Sequence, residues 1–244
     1  MPLSFCLNRY NMKKIAVLTG AGMSVESGLS TFRGGNGMWD NYPVEAVASI
    51  DGYRANPTLV LDFYNKRRVQ LLDVVPNEGH KLLASLENEY DVTIITQNVD
   101  DLHERAGSTN IIHLHGELMK VSSSVAPNDL RYVRTLPSSA PTIKIGDLAA
   151  DGSQLRPYIV WFGEPVPLID DAIAAMRDID LFVIVGTSLN VYPAAGLINY
   201  VPAGVPVYLI DPNDVNISPG MGVTHIRKGA SDGVRELIDH VLAK

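Results

Sequence analysis

Two histidines lie two residues apart at the end of an apolar run, in the stretch HLHG at residues 113–116. Because side chains alternate along a strand, the two imidazoles share one face, and Gly116 leaves room for a ligand beside His115. Imidazole titrates close to neutral pH and can remove a proton from a sugar hydroxyl. The pair therefore contains a candidate general base. The alternative is that both are hydrogen-bonded structural histidines.

A second polar group follows an earlier apolar run, in the stretch TQNVD at residues 96–100. Its amide and carboxylate side chains emerge where a strand ends, and they can hold a carboxamide, a ribose hydroxyl or a water. Asparagine is also a favoured helix N-cap, so Asn98 could instead cap a helix from Val99 to Ala106. The residues alone leave both interpretations open.

Two glycine turns have the form of phosphate-binding sites. The apolar run Ile15–Leu18 breaks into GAG at residues 20–22, where missing side chains allow the backbone a close approach to a ligand. The following residues open a predicted helix whose first N–H groups would face a pyrophosphate. The stretch GTS at residues 186–188 repeats the pattern, and the run from Val205 ends at Asp211, which can accept from a ribose hydroxyl. Taken alone, such turns also occur as simple bends.

The stretch WFGE at residues 161–164 offers an aromatic wall followed by a backbone without an obstructing side chain. Such an edge can bind an extended peptide as an added strand through main-chain hydrogen bonds. The alternative is a pair of ordinary core aromatics.

Composition limits the classes of function. The chain has 244 residues, 46% of them hydrophobic, with a formal charge of −7, which disfavours nucleic-acid binding and attraction to an anionic membrane. Its single cysteine, Cys6, excludes an intrachain disulfide and a zinc site of several cysteines. No apolar run reaches the roughly 18 residues of a membrane span. These features predict a cytoplasmic protein.

Apolar runs alternate with amphipathic helical patterns, such as Glu78–Asn88 and Asp170–Arg177. This alternation predicts an α/β fold with a doubly wound, Rossmann-like parallel sheet, because each parallel crossover must travel over the sheet. The strand-like runs are Ile15–Thr19, Val92–Thr96, Ile111–Leu114, Tyr158–Phe162, Leu181–Gly186, Val205–Ile210 and Val223–Ile226.

Two inserts interrupt the alternation and predict a smaller second domain. Residues 35–75 carry a long helical pattern over Pro57–Val74, in which Leu61, Tyr64, Arg68 and Leu71 fall near one face. Residues 118–156 are rich in Ser, Pro and Asp and suggest a ribbon-like insert. The predicted division is therefore residues 1–34, 76–117 and 157–244 for the sheet domain, and 35–75 with 118–156 for the small domain.

In their common order, the motifs GAGxS, TFRG, TQNVD, HLHG, WFGE and GTS resemble the sirtuin family of NAD-dependent protein lysine deacylases. The resemblance covers nearly the whole chain from about Lys13. It implies NAD as cofactor, acyl-lysine proteins or peptides as substrates, and products nicotinamide, O-acyl-ADP-ribose and free lysine. By motif position, His115 would be the base, Asn98 would order the ribose and a water, and Asp100 would bind the nicotinamide carboxamide.

The same resemblance implies two further groups of residues. The cofactor would be held by Gly20, Ala21, Gly22, Ser24, Phe32, Arg33, Gln97, Gly186, Thr187, Ser188 and Asp211. The substrate peptide would contact Val160, Phe162, Gly163 and Glu164.

Tyr64 and Arg67 stand three residues apart, hence on one helical face, where a phenol and a guanidinium can hold one carboxylate. In sirtuins the same Tyr-x-x-Arg pairing goes with removal of succinyl or malonyl groups, and Ala48 falls where those enzymes widen the acyl pocket. The alternative is a surface arginine beside a core tyrosine.

The chain departs from most sirtuins in one respect. Residues 118–156, which should hold four zinc-binding cysteines, contain neither cysteine nor histidine, so no metal is expected. Apolar packing would then hold this segment, and the candidates are Val121, Val133, Leu136, Ile143 and Ile145. Two other functions compete with deacylation: ADP-ribosyl transfer or NAD hydrolysis by the same ribosyl chemistry, and NAD sensing without catalysis.

Overall fold

The larger of two sheets contains six parallel strands. The computed structural model describes residues 12–31, 42–217 and 222–242. Short, almost continuously buried apolar runs form the strands, as is usual for a sheet covered on both faces. They are β1 (Lys14–Thr19), β2 (Asp91–Thr96), β3 (Ile111–His113), β7 (Leu181–Val185), β8 (Val207–Ile210) and β9 (Val223–Ile226).

The strand order is β3-β2-β1-β7-β8-β9, and every neighbouring pair is parallel. From β1 the chain adds β2 and β3 on one side. It then crosses to the other side of β1, where it adds β7, β8 and β9. Ligands of such sheets bind in the crevice at the carboxyl ends of the two strands flanking this switch point. The doubly wound α/β prediction is confirmed.

The side chains of β1 alternate between two buried clusters on opposite faces of the sheet. Ile15 and Val17 join one buried cluster, whereas Ala16 and Leu18 join the cluster on the opposite face. Helices on both faces cover these clusters. All α-helices of the described residues, including those that pack elsewhere, are α1 (Val44–Val47), α2 (Ile50–Ala55), α3 (Pro57–Leu72), α4 (Glu78–Ser85), α5 (Leu102–Ala106), α6 (Ile169–Ala175) and α7 (Ala230–Leu237). In addition, 3₁₀ helices span Ala21–Ser27, Leu86–Asn88, Leu130–Tyr132 and Ala194–Tyr200, and a π-helical segment spans Ile238–Leu242.

Helix α3 carries the residues of the predicted acyl pocket. Asn56 caps it by accepting from the Leu59 N–H at 3.0 Å, and Pro57 occupies the first helical position, where no N–H is needed. The helix ends at Leu72, two residues before the predicted end. Its four predicted inward positions are all buried, Arg68 included. Within the described residues, no helix is both long and apolar enough to cross a membrane.

The smaller sheet is antiparallel, with β4 (Gly116–Ser123) between β5 (Arg134–Thr135) and β6 (Leu155–Ile159). The strand predicted at 158–162 is therefore β6, three residues earlier, and it pairs with β4 rather than joining the parallel sheet. The physical reason is Gly116, whose φ of 81° turns the chain out of β3, and whose absent side chain lets the Tyr158 carbonyl approach. We call residues 116–159 the small lobe.

Apolar packing holds the small lobe against α3. Val121, Leu136 and Ile143 lie in one buried cluster with residues of α3 and β6, as predicted. Ile145 does not, since its side chain is 51% exposed in a hydrogen-bonded turn at residues 144–147. The division of the chain into two domains stays a prediction.

Candidate active site

The two glycine turns meet at the switch point between β1 and β7. The Gly22 N–H donates to the Gly186 carbonyl at 2.8 Å, and a Cβ added to Gly22 would lie 2.6 Å from Gly186 Cα. Gly186 itself has φ 62°, the left-handed region that favours glycine. The two turns therefore pack against each other through their backbones at the carboxyl edge of the sheet, where a side chain on either glycine would clash with the other turn.

The segment after the first turn differs from the sequence prediction. It forms a 3₁₀ helix, Ala21–Ser27, in which the Met23 N–H donates to the Gly20 carbonyl at 2.9 Å. The Gly22 N–H is also used, as described above. These two donors serve the turn, so they do not face a ligand as the helix interpretation predicted.

Asn98 and Asp100 converge on Ser24, and all three side chains are buried. The Asn98 amide donates to the Gly20 carbonyl at 3.0 Å and to Ser24 Oγ at 3.3 Å, while Ser24 Oγ donates to Asp100 Oδ2 at 3.0 Å. Because its NH₂ group is used in this way, Asn98 presents its Oδ1 as an acceptor. Burial raises the pKa of Asp100, and the hydrogen bonds from the Leu102 N–H and Ser24 offset part of this effect.

The helix-capping alternative for Asn98 is wrong. Helix α5 begins at Leu102, and the Leu102 N–H donates to Asp100 Oδ1 at 3.2 Å. The carboxylate of Asp100, not the amide of Asn98, therefore satisfies a free donor at the start of this helix.

His115 is held in one tautomer by the chain preceding it. Its Nδ1 lies 3.0 Å from the Gln97 carbonyl, which can only accept, so Nδ1 carries the proton and Nε2 the lone pair. Burial lowers the pKa of His115, and the bond to Gln97 counteracts it only in part. Gln97 is itself fixed by donating to Thr187 Oγ1 at 3.1 Å. The result is a neutral imidazole at the sheet edge.

His113 has the opposite environment. Its Nε2 lies 2.6 Å from Glu104 Oε1, and its Nδ1 lies 3.4 Å from the Asn98 carbonyl. Burial alone would lower the pKa of His113, but the hydrogen bond and charge of Glu104 raise it overall. Since a base must be unprotonated to accept a proton, His115 suits that role and His113 does not.

Glu104, His113 and Glu117 also bring three potential metal-ligating atoms within 4.8 Å of one another. Their charges are already matched, because His113 pairs with Glu104, and Lys120 Nζ lies 2.6 Å from Glu117 Oε1. We therefore describe this group as an ion-pair network.

Tyr64 and Arg67 project from α3 toward the same region. The Tyr64 hydroxyl is buried and accepts a hydrogen bond from Trp161 Nε1 at 2.9 Å. Arg67 Cζ lies 6.0 Å from the Tyr64 ring centroid. Burial lowers the pKa of Arg67, and the neighbouring Tyr64 and Asp100 side chains counteract this effect. The interaction with Asp100 connects this pair to the catalytic candidates.

The main chain of Phe162 pairs with the linker between α1 and α2. Its N–H donates to the Ala48 carbonyl at 2.9 Å, and its carbonyl accepts from the Ile50 N–H at 3.1 Å. Ala48 is thus buried directly against the predicted peptide segment. A substrate peptide would have to use other main-chain groups nearby. The Phe162 side chain is 47% exposed, so it remains accessible.

The rest of the predicted peptide segment is anchored inward. The Val160 N–H donates to the His115 carbonyl at 3.0 Å, and Gly163 has φ 91°. The carboxylate of Glu164 accepts two bonds from the buried Arg156 guanidinium, at 2.6 and 2.8 Å. Glu164 therefore braces the segment with its side chain. Sequence reasoning missed Arg156, whose only signal is one cation inside an otherwise apolar strand.

The remaining predicted cofactor residues have mixed positions. Thr187 is buried and Ser188 is exposed, both directly after β7, and Ala21 is the first residue of the 3₁₀ helix. Asp211 follows β8 and accepts from the Asn213 N–H at 2.8 Å. Phe32 and Arg33 lie outside the described residues.

Comparisons of sequence and of structure both found similar proteins. Residues 20–193 match the Sir2 family. An NAD-dependent protein deacylase of Bacteroides thetaiotaomicron is 59% identical over 226 residues, which cover 93% of this chain and 97% of that protein. One from Helicobacter pylori is 48% identical over 232 residues, covering 95% and 98%. A solved Sir2 homologue–NAD complex superposes with a TM-score of 0.82 at 35% identity, covering 100% of this chain and 94% of the other.

Proposed function

This chain belongs to the Sir2 family, and from that premise we propose that it removes succinyl and malonyl groups, as well as acetyl groups, from lysine side chains. It is an enzyme of the NAD-dependent protein deacylase type, acting on acylated proteins or peptides. The proposed products are nicotinamide, O-acyl-ADP-ribose and free lysine. We further propose a cytoplasmic, zinc-independent enzyme, because its sequence holds a single cysteine.

The observation that carries the acyl preference is the pair Tyr64 and Arg67 on one face of α3. A carboxylate enters a buried pocket only if a charge and hydrogen bonds compensate for its lost hydration. Arg67 supplies a cation and Tyr64 a hydroxyl in a region where burial lowers the pKa of the first and raises that of the second. An acetyl group carries no charge and has no need of either group.

The described residues fit a dinucleotide cofactor. The glycine turns at Gly22 and Gly186 lie at the carboxyl ends of β1 and β7, where sheets of this kind bind dinucleotides, and Gln97, Asn98 and Asp100 offer polar groups for ribose and carboxamide. When bound, NAD supplies an electrophilic ribose carbon and the acceptor for the acyl group. The motif resemblance adds Phe32 and Arg33 as proposed cofactor contacts.

In the proposed mechanism, His115 Nε2 accepts the proton of a ribose hydroxyl. Its Nδ1–H donates to the Gln97 carbonyl and keeps the lone pair on Nε2. Asn98 Oδ1 accepts from the ribose or a water, since its NH₂ is held by Gly20 and Ser24. Asp100 binds the carboxamide, and its polar neighbours keep that carboxylate oriented.

The test is an incubation with NAD and matched acetyl-, malonyl- and succinyl-lysine peptides, followed by mass spectrometry. Arg67→Met should lower kcat/KM for succinyl-lysine by about 10- to 100-fold, since a charge-assisted hydrogen bond contributes ~1.5–3 kcal/mol. Acetyl-lysine turnover should change far less. Lys66→Met is the matched control, because it removes an exposed cation from the same helical turn.

Two results would contradict the proposal. Equal losses for both acyl groups would remove Arg67 from the acyl pocket. Release of nicotinamide without peptide deacylation would favour ADP-ribosyl transfer or NAD hydrolysis instead.

A further inference from the structure

Trp161 lies at the centre of a buried aromatic cluster beneath the proposed acyl pocket. Its side chain is 2% exposed, and its ring centroid lies 4.9 Å from that of Tyr53 and 6.1 Å from that of Tyr64. Arg156 Cζ lies 3.6 Å from the Trp161 ring centroid, close enough for a cation–π contact. The indole is thus enclosed on several sides.

The hydrogen bond between Trp161 and Tyr64 has only one possible direction. An indole N–H donates and cannot accept, so the Tyr64 oxygen is the acceptor at 2.9 Å. The hydroxyl proton of Tyr64 must then point away from Trp161. It is available to donate to a third group.

Arg156 restrains Trp161 in two ways: it stacks on the indole ring, and through Glu164 it holds the Trp161 backbone. Besides stacking on the ring, the guanidinium binds both oxygens of Glu164 and donates to the Ile159 carbonyl at 2.8 Å. Glu164 Oε2 also accepts from the Trp161 N–H at 2.9 Å. A buried bidentate pair of this kind has a fixed geometry. Trp161 therefore has little freedom to move away from Tyr64.

We infer that Trp161 is a specificity-determining positioning residue, whose indole N–H holds the Tyr64 hydroxyl as a donor toward an acyl carboxylate. This inference rests on the proposed function, since it concerns the choice between acidic and neutral acyl groups. Trp161 acts through Tyr64 and need not touch the substrate carboxylate itself.

Trp161→Phe tests the inference, because phenylalanine keeps an aromatic ring on Arg156 and loses the donor. For a succinyl-lysine peptide, kcat/KM should fall by about five- to tenfold, mainly through a higher KM, as expected for one neutral hydrogen bond. For an acetyl-lysine peptide, it should change by less than about twofold. Tyr53→Phe is the matched control, because it removes a hydroxyl from the same cluster and leaves the Trp161–Tyr64 bond in place.

A double-mutant cycle separates this role from a structural one. In the Tyr64→Phe background, Trp161→Phe should add less than about twofold to the loss of succinyl turnover, because both changes remove the same donor. Additive losses, or an unchanged succinyl-to-acetyl ratio in Trp161→Phe, would overturn the inference. If Trp161→Phe melts early, replacing the Trp161 indole by benzothiophene removes the N–H while keeping the shape.

Measurements on the wild-type enzyme separate a failure of the proposed function from a failure of the Trp161 inference alone. Absence of succinyl and malonyl turnover in the wild type would refute the proposed function and the inference together. A selective loss in Arg67→Met and Tyr64→Phe, but not in Trp161→Phe, would refute the inference alone.

Discussion

His113 and His115 are separated by one residue, yet their surroundings shift their pKa values in opposite directions. Glu104 raises the pKa of His113 against the effect of burial, whereas burial lowers the pKa of His115, which has only a backbone carbonyl as partner. A pair of titratable groups with diverging pKa values is a common basis for acid and base assignments. At the residue scale, the environment therefore favours His115 as the base.

His115→Ala should lower deacylation by about 100-fold or more, because a positioned base contributes roughly 10²–10⁴-fold. The pH profile gives a sharper test. A base with a lowered pKa is unprotonated above that value, so kcat/KM should rise with pH along a limb below pH 6.5 and stay level above it. Steady-state rates from pH 5 to 8 measure this limb.

His113→Gln serves as the control for the pH profile. It removes the pair with Glu104 but leaves the His115–Gln97 bond, so the limb should keep its position even if the rate falls. A limb that moves with His113→Gln would assign the titration to His113 instead.

At the scale of elements, a hydroxyl network joins the end of β4 to the turn before β6. Ser123 Oγ donates to Asp151 Oδ2 at 2.6 Å and accepts from the N–H groups of Val125 and Ala126 at 3.1 and 2.9 Å. Ser153 Oγ also donates to Asp151, at 2.7 Å. The network lies in the segment where the sirtuin resemblance would place the first zinc-binding cysteines. It closes a loop of the small lobe through hydrogen bonds.

Ser123→Ala should lower the free energy of unfolding by about 1–3 kcal/mol, because two backbone N–H groups lose their acceptor. Ser122→Ala is the control: Ser122 is equally buried, yet its Oγ has no hydrogen-bond partner among the residues that the structure describes. It should be neutral or slightly stabilising. Urea denaturation of both variants measures the difference, and equal effects would contradict a role for the network.

The loss in the free energy of unfolding caused by Ser123→Ala should also depend on pH. The hydrogen bond from Ser123 leads the contacts that lower the pKa of Asp151. A group with a lowered pKa stabilises the fold above its unfolded value, and this stabilisation is lost as pH falls through the folded value. The difference in the free energy of unfolding between wild type and Ser123→Ala should therefore shrink in acid. A difference that stays constant down to pH 3 would exclude Asp151 as the partner.

At the scale of the whole molecule, the site combines contributions from both sheets. The carboxyl ends of β1, β2, β3 and β7 carry the glycine turns and the candidate base, and the chain beyond β6, the predicted peptide segment, pairs with the linker between α1 and α2. Buried clusters join α3 to α5, to Trp161 and to the small lobe. Apolar packing and the Arg156–Glu164 pair thus hold these parts of the molecule together.

The intact enzyme should keep its activity and melting temperature after treatment with a chelator such as EDTA. A single cysteine cannot form the zinc site of several cysteines that most sirtuins carry. Metal analysis of the pure protein and a melting curve with and without chelator test this expectation. Stoichiometric zinc would contradict it, and its loss in His113→Gln would assign the metal to the network around that residue.

Periodicity and motif order were sufficient for the framework of this protein. The parallel sheet, its glycine turns and the buried face of α3, including Arg68, follow from local patterns, because burial on a strand or helix repeats with a fixed period. The family followed from the order of short motifs. The same patterns did not decide whether Asn98 caps a helix or holds a ligand. They also placed β6 in the parallel sheet, because the strand that pairs with it lies far away in the chain.

Only the tertiary structure distinguished groups that the sequence makes equivalent. The opposite pKa shifts of His113 and His115, the inward carboxylate of Glu164 and the bond between Trp161 and Tyr64 each depend on contacts between separate elements. Hydrogen bonds and desolvation act over a few ångströms in space, and 97 residues separate Trp161 from Tyr64. The order of amino acids specifies which chemical groups are present, and the packing of separate elements brings particular ones into contact.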